Sequence, residues 1–279
     1  MPDWAAITAE LGLNNETPQP VSGGDISAAW HVGNLFVKTG PASSSDMFSA
    51  EAEGLSELAA PGVIRIPQVV ACGVHSDTAF LATEWLELGR ATRDTEARLG
   101  EQLALLHETT RDRFGWHRDN TIGLTPQHND WSDDWVDFLR EQRLGFQLQL
   151  AAENGFSGPL QEQGARLLKR LPVFFEDHQP RPALLHGDLW GGNWGSCEGA
   201  PVIFDPAVYY GDPESDLAMT RLFGGFGPAF YDAYAAHTPP AAGSHNRSDL
   251  YQLYHVLNHL NLFGSAYLGR AQELINKLL

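Results

Sequence analysis

Between Pro18 and Leu86 the apolar residues come in short runs broken by Gly and Pro, the texture of strands and turns. Ile26 to Val32 and Leu35-Phe36-Val37-Lys38 flank Gly33-Asn34. A Gly-Asn pair between two apolar runs predicts a two-residue hairpin, because both positions tolerate positive φ. After Pro67, Val69-Val70-Ala71 and Phe80 to Leu86 predict two further strands. Met47 to Ala60 predicts a helix, with Ser45 or Asp46 as its cap and Pro61-Gly62 as its stop. On a wheel turning about 100° per residue, Phe48, Ala52, Leu55 and Ala59 share a face, Glu51 lies beside it, and Glu53 and Glu57 point away. A carboxylate turned inward needs a cation, and Lys38 on the preceding strand is the nearest in sequence.

Beyond Gly89 the period becomes helical, at Leu99, Leu103 and Leu106, at Trp131, Trp135, Phe138 and Leu139, at Leu167, Leu168 and Leu171, and at Tyr251, Tyr254, Leu257 and Leu260. One stretch interrupts it: Ala183-Leu184-Leu185 leads into His186 to Asn193, and Val202-Ile203-Phe204 leads into Asp205-Pro206. The pattern predicts a small β-rich lobe over residues 1–86 and a larger helical lobe over 87–279, joined near Glu87 to Arg90 with no long linker.

Composition narrows the function classes. A 279-residue chain that is 43% hydrophobic has the material for a sizeable core. With 35 Asp+Glu against 18 Lys+Arg the formal charge is -17, which argues against nucleic acid or an anionic membrane as partner. No basic leader precedes an apolar core, and no apolar run approaches the roughly 18 residues of a spanning helix. Cys72 and Cys197 are too few and too far apart for a disulfide framework, and a soluble cytoplasmic protein is expected. The chain has only three lysines, Lys38, Lys169 and Lys277, so each merits inspection.

The chemistry concentrates where the helical pattern breaks. Asp188 and Asn193 lie five apart across a glycine-bearing loop, and Asp205 ends an apolar run twelve residues later. Each alone would read as a turn or capping residue. Together they offer three oxygen ligands of the kind Mg²⁺ prefers. D-x-x-x-x-N with a later Asp is also the spacing of phosphoryl-transfer sites, where one Asp accepts the hydroxyl proton while Asn and the second Asp hold metal on the nucleotide. His186 precedes Asp188 with no further His/Asp cluster of hydrolytic type, so it is expected to serve the loop backbone. His255 and His259 share a helix face, but no Glu follows His255 as in H-E-x-x-H; packing or substrate-facing polarity is expected there.

His186-Gly187-Asp188-Leu189-Trp190-Gly191-Gly192-Asn193, Phe204-Asp205-Pro206-Ala207-Val208-Tyr209-Tyr210-Gly211 and Glu214-Ser215-Asp216-Leu217-Ala218-Met219 resemble the fructosamine kinase (ketosamine-3-kinase) family, within the wider aminoglycoside-phosphotransferase-like kinases. Ser22-Gly23-Gly24-Asp25-Ile26, Phe36-Val37-Lys38, Phe114-Gly115, Asn129 with Trp131, and Asn258 to Gly264 are similar to that family too, so nearly the whole chain is covered. The resemblance implies an α+β, two-lobed, protein-kinase-like fold and a Mg²⁺- and ATP-dependent transfer to the 3-hydroxyl of a ketosamine. The phosphorylated adduct can then eliminate phosphate and release its amine, a deglycation repair.

By the same resemblance, Asp188 would deprotonate the sugar hydroxyl, Asn193 and Asp205 would hold Mg²⁺, and Lys38, fixed by Glu51, would bind the α/β-phosphates. Ser22, Gly23 and Gly24 would cover the phosphates, and the backbone of Glu84, Trp85 and Leu86 would meet adenine. Asp216 would brace the catalytic loop. Trp190, with Trp131 and Tyr209 behind it, would wall the sugar pocket. The substrate would be a small ketosamine, a glycated amine or a glycated protein side chain. Three alternatives stay open: a related kinase acting on an amino sugar, choline-like alcohol or antibiotic; a silent nucleotide-binding scaffold, against which all five of Lys38, Glu51, Asp188, Asn193 and Asp205 argue; and a metallohydrolase working without ATP.

Overall fold

A computed structural model describes residues 2–21 and 27–279. The expectation for Ser22, Gly23 and Gly24 lies outside the described residues. The hairpin forms as its turn chemistry requires: Gly33 sits at φ +62°, and Val32 faces Leu35 across the turn. Strands Ala28–Val32 and Leu35–Pro41 are the second and third of a five-stranded antiparallel sheet, flanked by Gln19–Val21 on one side and by Thr78–Glu84 and then Val69–His75 on the other. The last two strands are themselves a hairpin around Ser76-Asp77, with Ser76 at φ +51°.

The helix runs Ser45–Ala59 after a short turn of 3₁₀ helix at Ala42–Ser44. Neither Ser45 nor Asp46 caps it. Ser44 holds the capping position without a side-chain bond, and Asp46 sits in the first turn, where its charge suits the helix dipole. Phe48, Leu55 and Leu58 are buried while Ala59 is exposed, so the inner stripe is rotated slightly from the expected one. Gly54 explains the rotation: a Cβ there would stand 3.2 Å from Val208 Cγ2, so the helix rests on the Pro206 to Val208 segment as well as on the sheet. That contact carries Glu51 toward Asp205.

The second part of the chain is mostly helical, with Arg93–Leu106, Pro159–Arg170, Glu214–Leu222, Pro228–His237, Ser244–Phe263 and Leu268–Leu278 packed around one apolar core. Trp131 precedes its expected helix, which begins at Trp135 with Asp134 as cap. A short helix near the start, Trp4–Glu10, has no counterpart in the apolar pattern; Asp3 caps it by accepting from the Ala6 N–H at 3.3 Å. Two antiparallel pairs carry the segments that hold Asp188, Asn193 and Asp205. Ala183–Leu185 pairs with Tyr209–Gly211, and Trp194–Cys197 pairs with Ala200–Ile203. Leu88–Gly89, at the expected joint, adds a third strand beside Trp194–Cys197. The whole is an α+β arrangement of a small antiparallel sheet and a larger helical part. Among the described residues, no helix is long and apolar enough to cross a membrane.

Candidate active site

The segment that bears Asp188 leaves strand Ala183–Leu185 through a turn that favours glycine. Gly187 sits at φ +83°, and a Cβ there would overlap the Ala207 carbonyl. The turn is held from below by Asp216, which is buried at the start of helix Glu214–Leu222. Its Oδ2 accepts the His186 N–H at 2.8 Å and its Oδ1 the Gly187 N–H at 2.9 Å. Burial alone would raise its pKa, but the His107 imidazole at 3.2 Å and the loop N–H groups hold it below the usual carboxylate value. His107 is in turn fixed by the Tyr234 hydroxyl at 2.8 Å from its Nδ1. The helical pattern marked neither residue, since His107 meets Asp216 across 109 positions of sequence and Tyr234 acts only through His107.

His186 serves the backbone, as its lack of a metal-type cluster suggested. Its ring Nε2 donates to the Phe204 carbonyl at 2.9 Å, and its Nδ1 accepts the Asp188 N–H at 3.2 Å. Burial pushes its pKa down, and this tautomer is the neutral one. The imidazole thereby ties the catalytic turn to the segment that ends in Asp205.

Asp188 emerges half-buried from this frame. Burial, then the nearby Asp205 and Asp216 charges, push its carboxyl up to about 7. Asn193 tempers that by donating its Nδ2 to the Asp188 carbonyl at 2.9 Å and, more weakly, to its carboxylate at 3.4 Å. The same amide reaches the Asp205 carbonyl at 3.2 Å. Its Nδ2 is thus spent on the Asp188 and Asp205 segments, which leaves the amide oxygen as the acceptor that Asn193 can offer. Asp205 itself adopts φ +56°, a conformation uncommon outside glycine, and projects its side chain to half exposure.

Lys38 reaches this group from the sheet. Its Nζ lies 2.7 Å from Glu51 Oε1 and 2.7 Å from Asp205 Oδ1. Burial opposes the ammonium, but Asp205 and Glu51 outweigh it and hold the Lys38 pKa above the ordinary value. Strand, helix and loop thus bring to one place five side chains that the sequence singled out separately. The Asp205 carboxylate and the Asn193 amide are oxygen donors of the hard kind that fits Mg²⁺, and the Lys38 ammonium beside Asp205 fits nucleotide phosphates.

Where the inner strand Thr78–Glu84 ends, the Glu84 N–H bonds the Gln68 carbonyl and the Trp85 N–H the Asn34 carbonyl, both at 2.9 Å. The Trp85 indole stacks on His31, with ring centroids 3.9 Å apart. These two amides are therefore not free for a ligand, a correction to the expectation that all three residues offer their backbone.

The three aromatic candidates separate. Trp190 is exposed and lies across Gly192, where its Cζ3 would stand 2.8 Å from an added Cβ. Tyr209 is only 3% exposed, packed between Phe138 and the buried Arg143 guanidinium, which sits 4.1 Å from its ring centre; it has no face left to line a pocket. Trp131 leans on Tyr210, itself bonded to Glu57, in a group with Arg111 and Arg113 rather than on the catalytic loop. Arg143, on a stretch of π helix at Leu139–Gly145, went unmarked in the sequence because a buried arginine is recognisable only from the rings around it.

Other clusters carry no part of this chemistry. His178, Asp212 and Glu214 are close enough to hold a cation, yet Asp212 accepts from Tyr251 at 2.6 Å and Arg247 takes both oxygens of Glu214. A hollow of about 720 Å³ lies outside helix Ser45–Ala59, among Glu53, Cys72 and His117, away from the catalytic loop. His255 is buried with its pKa pushed down to about 3, the His259 Nδ1 donates to the His255 carbonyl at 2.8 Å, and among the described residues neither belongs to a cluster of three or more metal-type ligands.

A small antiparallel sheet presenting Lys38 and a helical part presenting Asp188, Asn193 and Asp205 define the kinase-like phosphotransferase class. The fold is shared with an aminoglycoside phosphotransferase structure at TM-score 0.69 and 17% identity, covering 98% of this chain and 96% of that one. The chain belongs to the fructosamine kinase family, whose model matches residues 4–279. It is 43% identical to a probable ketoamine kinase of Synechocystis sp., over 99% of this chain and 97% of that protein. It is 41% identical to the chloroplastic protein-ribulosamine 3-kinase of Arabidopsis thaliana, over 93% of this chain and 81% of that one. A solved structure from Thermobifida fusca, assigned as a fructosamine-3-kinase, superposes with TM-score 0.88 at 32% identity, covering 99% and 98% of the two chains.

Proposed function

We propose that this chain transfers the γ-phosphoryl group of ATP to the 3-hydroxyl of a ketosamine, with residues 1–86 as the nucleotide lobe and 87–279 as the catalytic and substrate lobe. The observation that carries this reading is the convergence of Lys38, Asp188, Asn193 and Asp205, drawn from segments as far apart as 167 positions. Asp188 accepts the hydroxyl proton, and a carboxyl poised near neutrality suits that task at physiological pH. Lys38 binds the α/β-phosphates while Glu51 keeps it in place. Asp205 and the Asn193 amide oxygen would hold Mg²⁺, which when bound neutralises charge on the phosphate oxygens. The Leu86 N–H and the Glu84 carbonyl meet the adenine edge, since the other two N–H groups are taken. Trp190 walls the sugar. The two free thiols, Cys72 and Cys197, are compatible with a reducing cytoplasm as its setting.

The test is ADP release with Mg-ATP against ribulosamines, erythrulosamines and fructosamines, with choline and an aminoglycoside as controls and Asp188→Asn as blank. Turnover confined to ketosamines and lost in the variant is the expected result. Turnover of the controls alone would assign the chain to a different small-molecule substrate, and phosphate release without acceptor would favour a hydrolase.

A further inference from the structure

Directly beside the candidate catalytic loop runs a strip of aromatic rings of which the reading above uses only the first. It begins at Trp190, whose ring meets Phe223 edge-on at 6.5 Å. Phe223 meets His259 at 4.8 Å, His259 meets Phe263 at 5.4 Å and Tyr267 at 5.1 Å. Trp190, Phe223 and Phe263 are 41%, 44% and 53% exposed, so this is open surface. Single exposed aromatic residues are ordinary, but five rings in continuous contact form a patch of the kind that marks a binding site.

The strip is joined to the loop by backbone. Gly191 lies against the Phe223 to Gly227 segment so closely that a Cβ on it would be 3.1 Å from the Gly224 carbonyl oxygen and from Gly225 Cα. Gly224 and Gly225 take φ +73° and +95° to make that approach. Within the segment Phe226 turns inward and stacks on Trp194, leaving Phe223 as the exposed ring. His259 donates its Nδ1 hydrogen to the His255 carbonyl, so its Nε2 carries a lone pair, a neutral acceptor among the rings.

We propose, resting on the ketosamine reading above, that this strip seats the amine-bearing half of the substrate and selects a hydrocarbon group attached to a cationic nitrogen. In a ketosamine the nitrogen sits on C-1, two carbons from the C-3 hydroxyl presented to Asp188, so its substituent is within reach of the ring at Trp190 and, on this proposal, passes it. The ring faces attract the ammonium, the His259 lone pair can accept from it, and the hydrocarbon lies over Phe223 and Phe263. A lysine side chain and a free alkylamine offer this same chemistry.

Steady-state kinetics with the N-methyl and N-hexyl adducts of the sugar preferred in the panel above test the idea. The wild type is expected to favour the hexyl adduct by about tenfold in kcat/KM, through KM. Phe223→Ala and Phe263→Ala each bring that ratio down toward one, and because the ratio is taken within each variant, partial misfolding cancels. A wild-type ratio near one, or a ratio unchanged in both variants, overturns the proposal while leaving the ketosamine kinase reading intact. Failure of every ketosamine in the panel is the distinct result that removes that reading and this one with it. A peptide carrying the sugar on lysine Nε distinguishes the sources: the same loss in both variants assigns the strip to lysine stems, and a loss seen only with the free adduct assigns it to small amines.

Discussion

Lys38 Nζ stands 2.7 Å from Asp205 Oδ1, across 167 residues of sequence, while also holding Glu51 at 2.7 Å. A single ammonium therefore links sheet, helix and catalytic segment. Lys38→Met would leave two carboxylates facing each other with no cation between them. It is expected to lower kcat/KM by about 10²–10³, the scale of losing one charge-stabilising donor. Lys38→Arg is expected to restore little, because a planar fork does not reproduce a point charge shared by two oxygens. A coupled ADP assay on the two variants checks both statements.

Asp188→Asn removes the proposed proton acceptor and is expected to cost about 10²–10⁴ in kcat. Stability should move the other way. The Asp188 pKa is raised from 3.8 to about 7, so the folded state binds the proton more tightly than the unfolded chain. The cost of ionising Asp188 within the fold therefore grows as pH rises from about 4 to about 7 and is complete above that. Without Mg²⁺ or nucleotide, the variant should melt above the wild type at pH 8 and coincide with it near pH 4. A variant less stable than the wild type at pH 8 would contradict this.

The loop brace titrates with the opposite sign. Asp216 has a lowered pKa, so its stabilisation is present above the ordinary carboxylate value and is lost as pH falls through its folded value. Asp216→Ala also strands the buried N–H groups of His186 and Gly187, at about 1–3 kcal/mol each. The expected outcome in urea titrations is a large loss at pH 7 that shrinks on acidification, together with loss of turnover.

Two glycines at similar dihedrals should respond differently to alanine. Gly62, at φ +68°, has nothing within 4 Å of a would-be Cβ, so Gly62→Ala is expected to cost about 1–2 kcal/mol, the left-handed penalty alone. Gly187, at φ +83°, would meet the Ala207 carbonyl as well. Gly187→Ala is therefore expected to lower Tm well beyond Gly62→Ala and to abolish turnover. Equal Tm values would refute the close approach.

Much of the site was legible along the chain because its residues have local signatures. Asp188 and Asn193 share a loop, Asp205 ends an apolar run, and Glu51 stands out as an acid on an apolar helix face. The turn at Gly33-Asn34 was readable because two residues alone set its geometry. By contrast, Tyr209 and Trp131 could not be placed: a tyrosine beside the catalytic strand serves equally well as wall or core, and only the Arg143 guanidinium above its ring decides for core. The availability of Trp85 was equally hidden, since its N–H is consumed by the Asn34 carbonyl in the hairpin turn. Helix Trp4–Glu10 escaped notice because seven residues give too little period to register.

Spacing and composition along the chain carry the early strands, the later helices, the Gly33-Asn34 turn and the candidate groups for phosphate chemistry. Those features depend on dihedral preference, on the spacing of apolar residues and on the chemistry of side chains close together in the chain. Tertiary structure alone decided that Lys38 meets Asp205, that His107 and Tyr234 stand behind Asp216, and that Trp190 continues into Phe223, His259 and Phe263. These are contacts between groups far apart in the chain, and they exist only because burying the core fixes where each backbone segment runs.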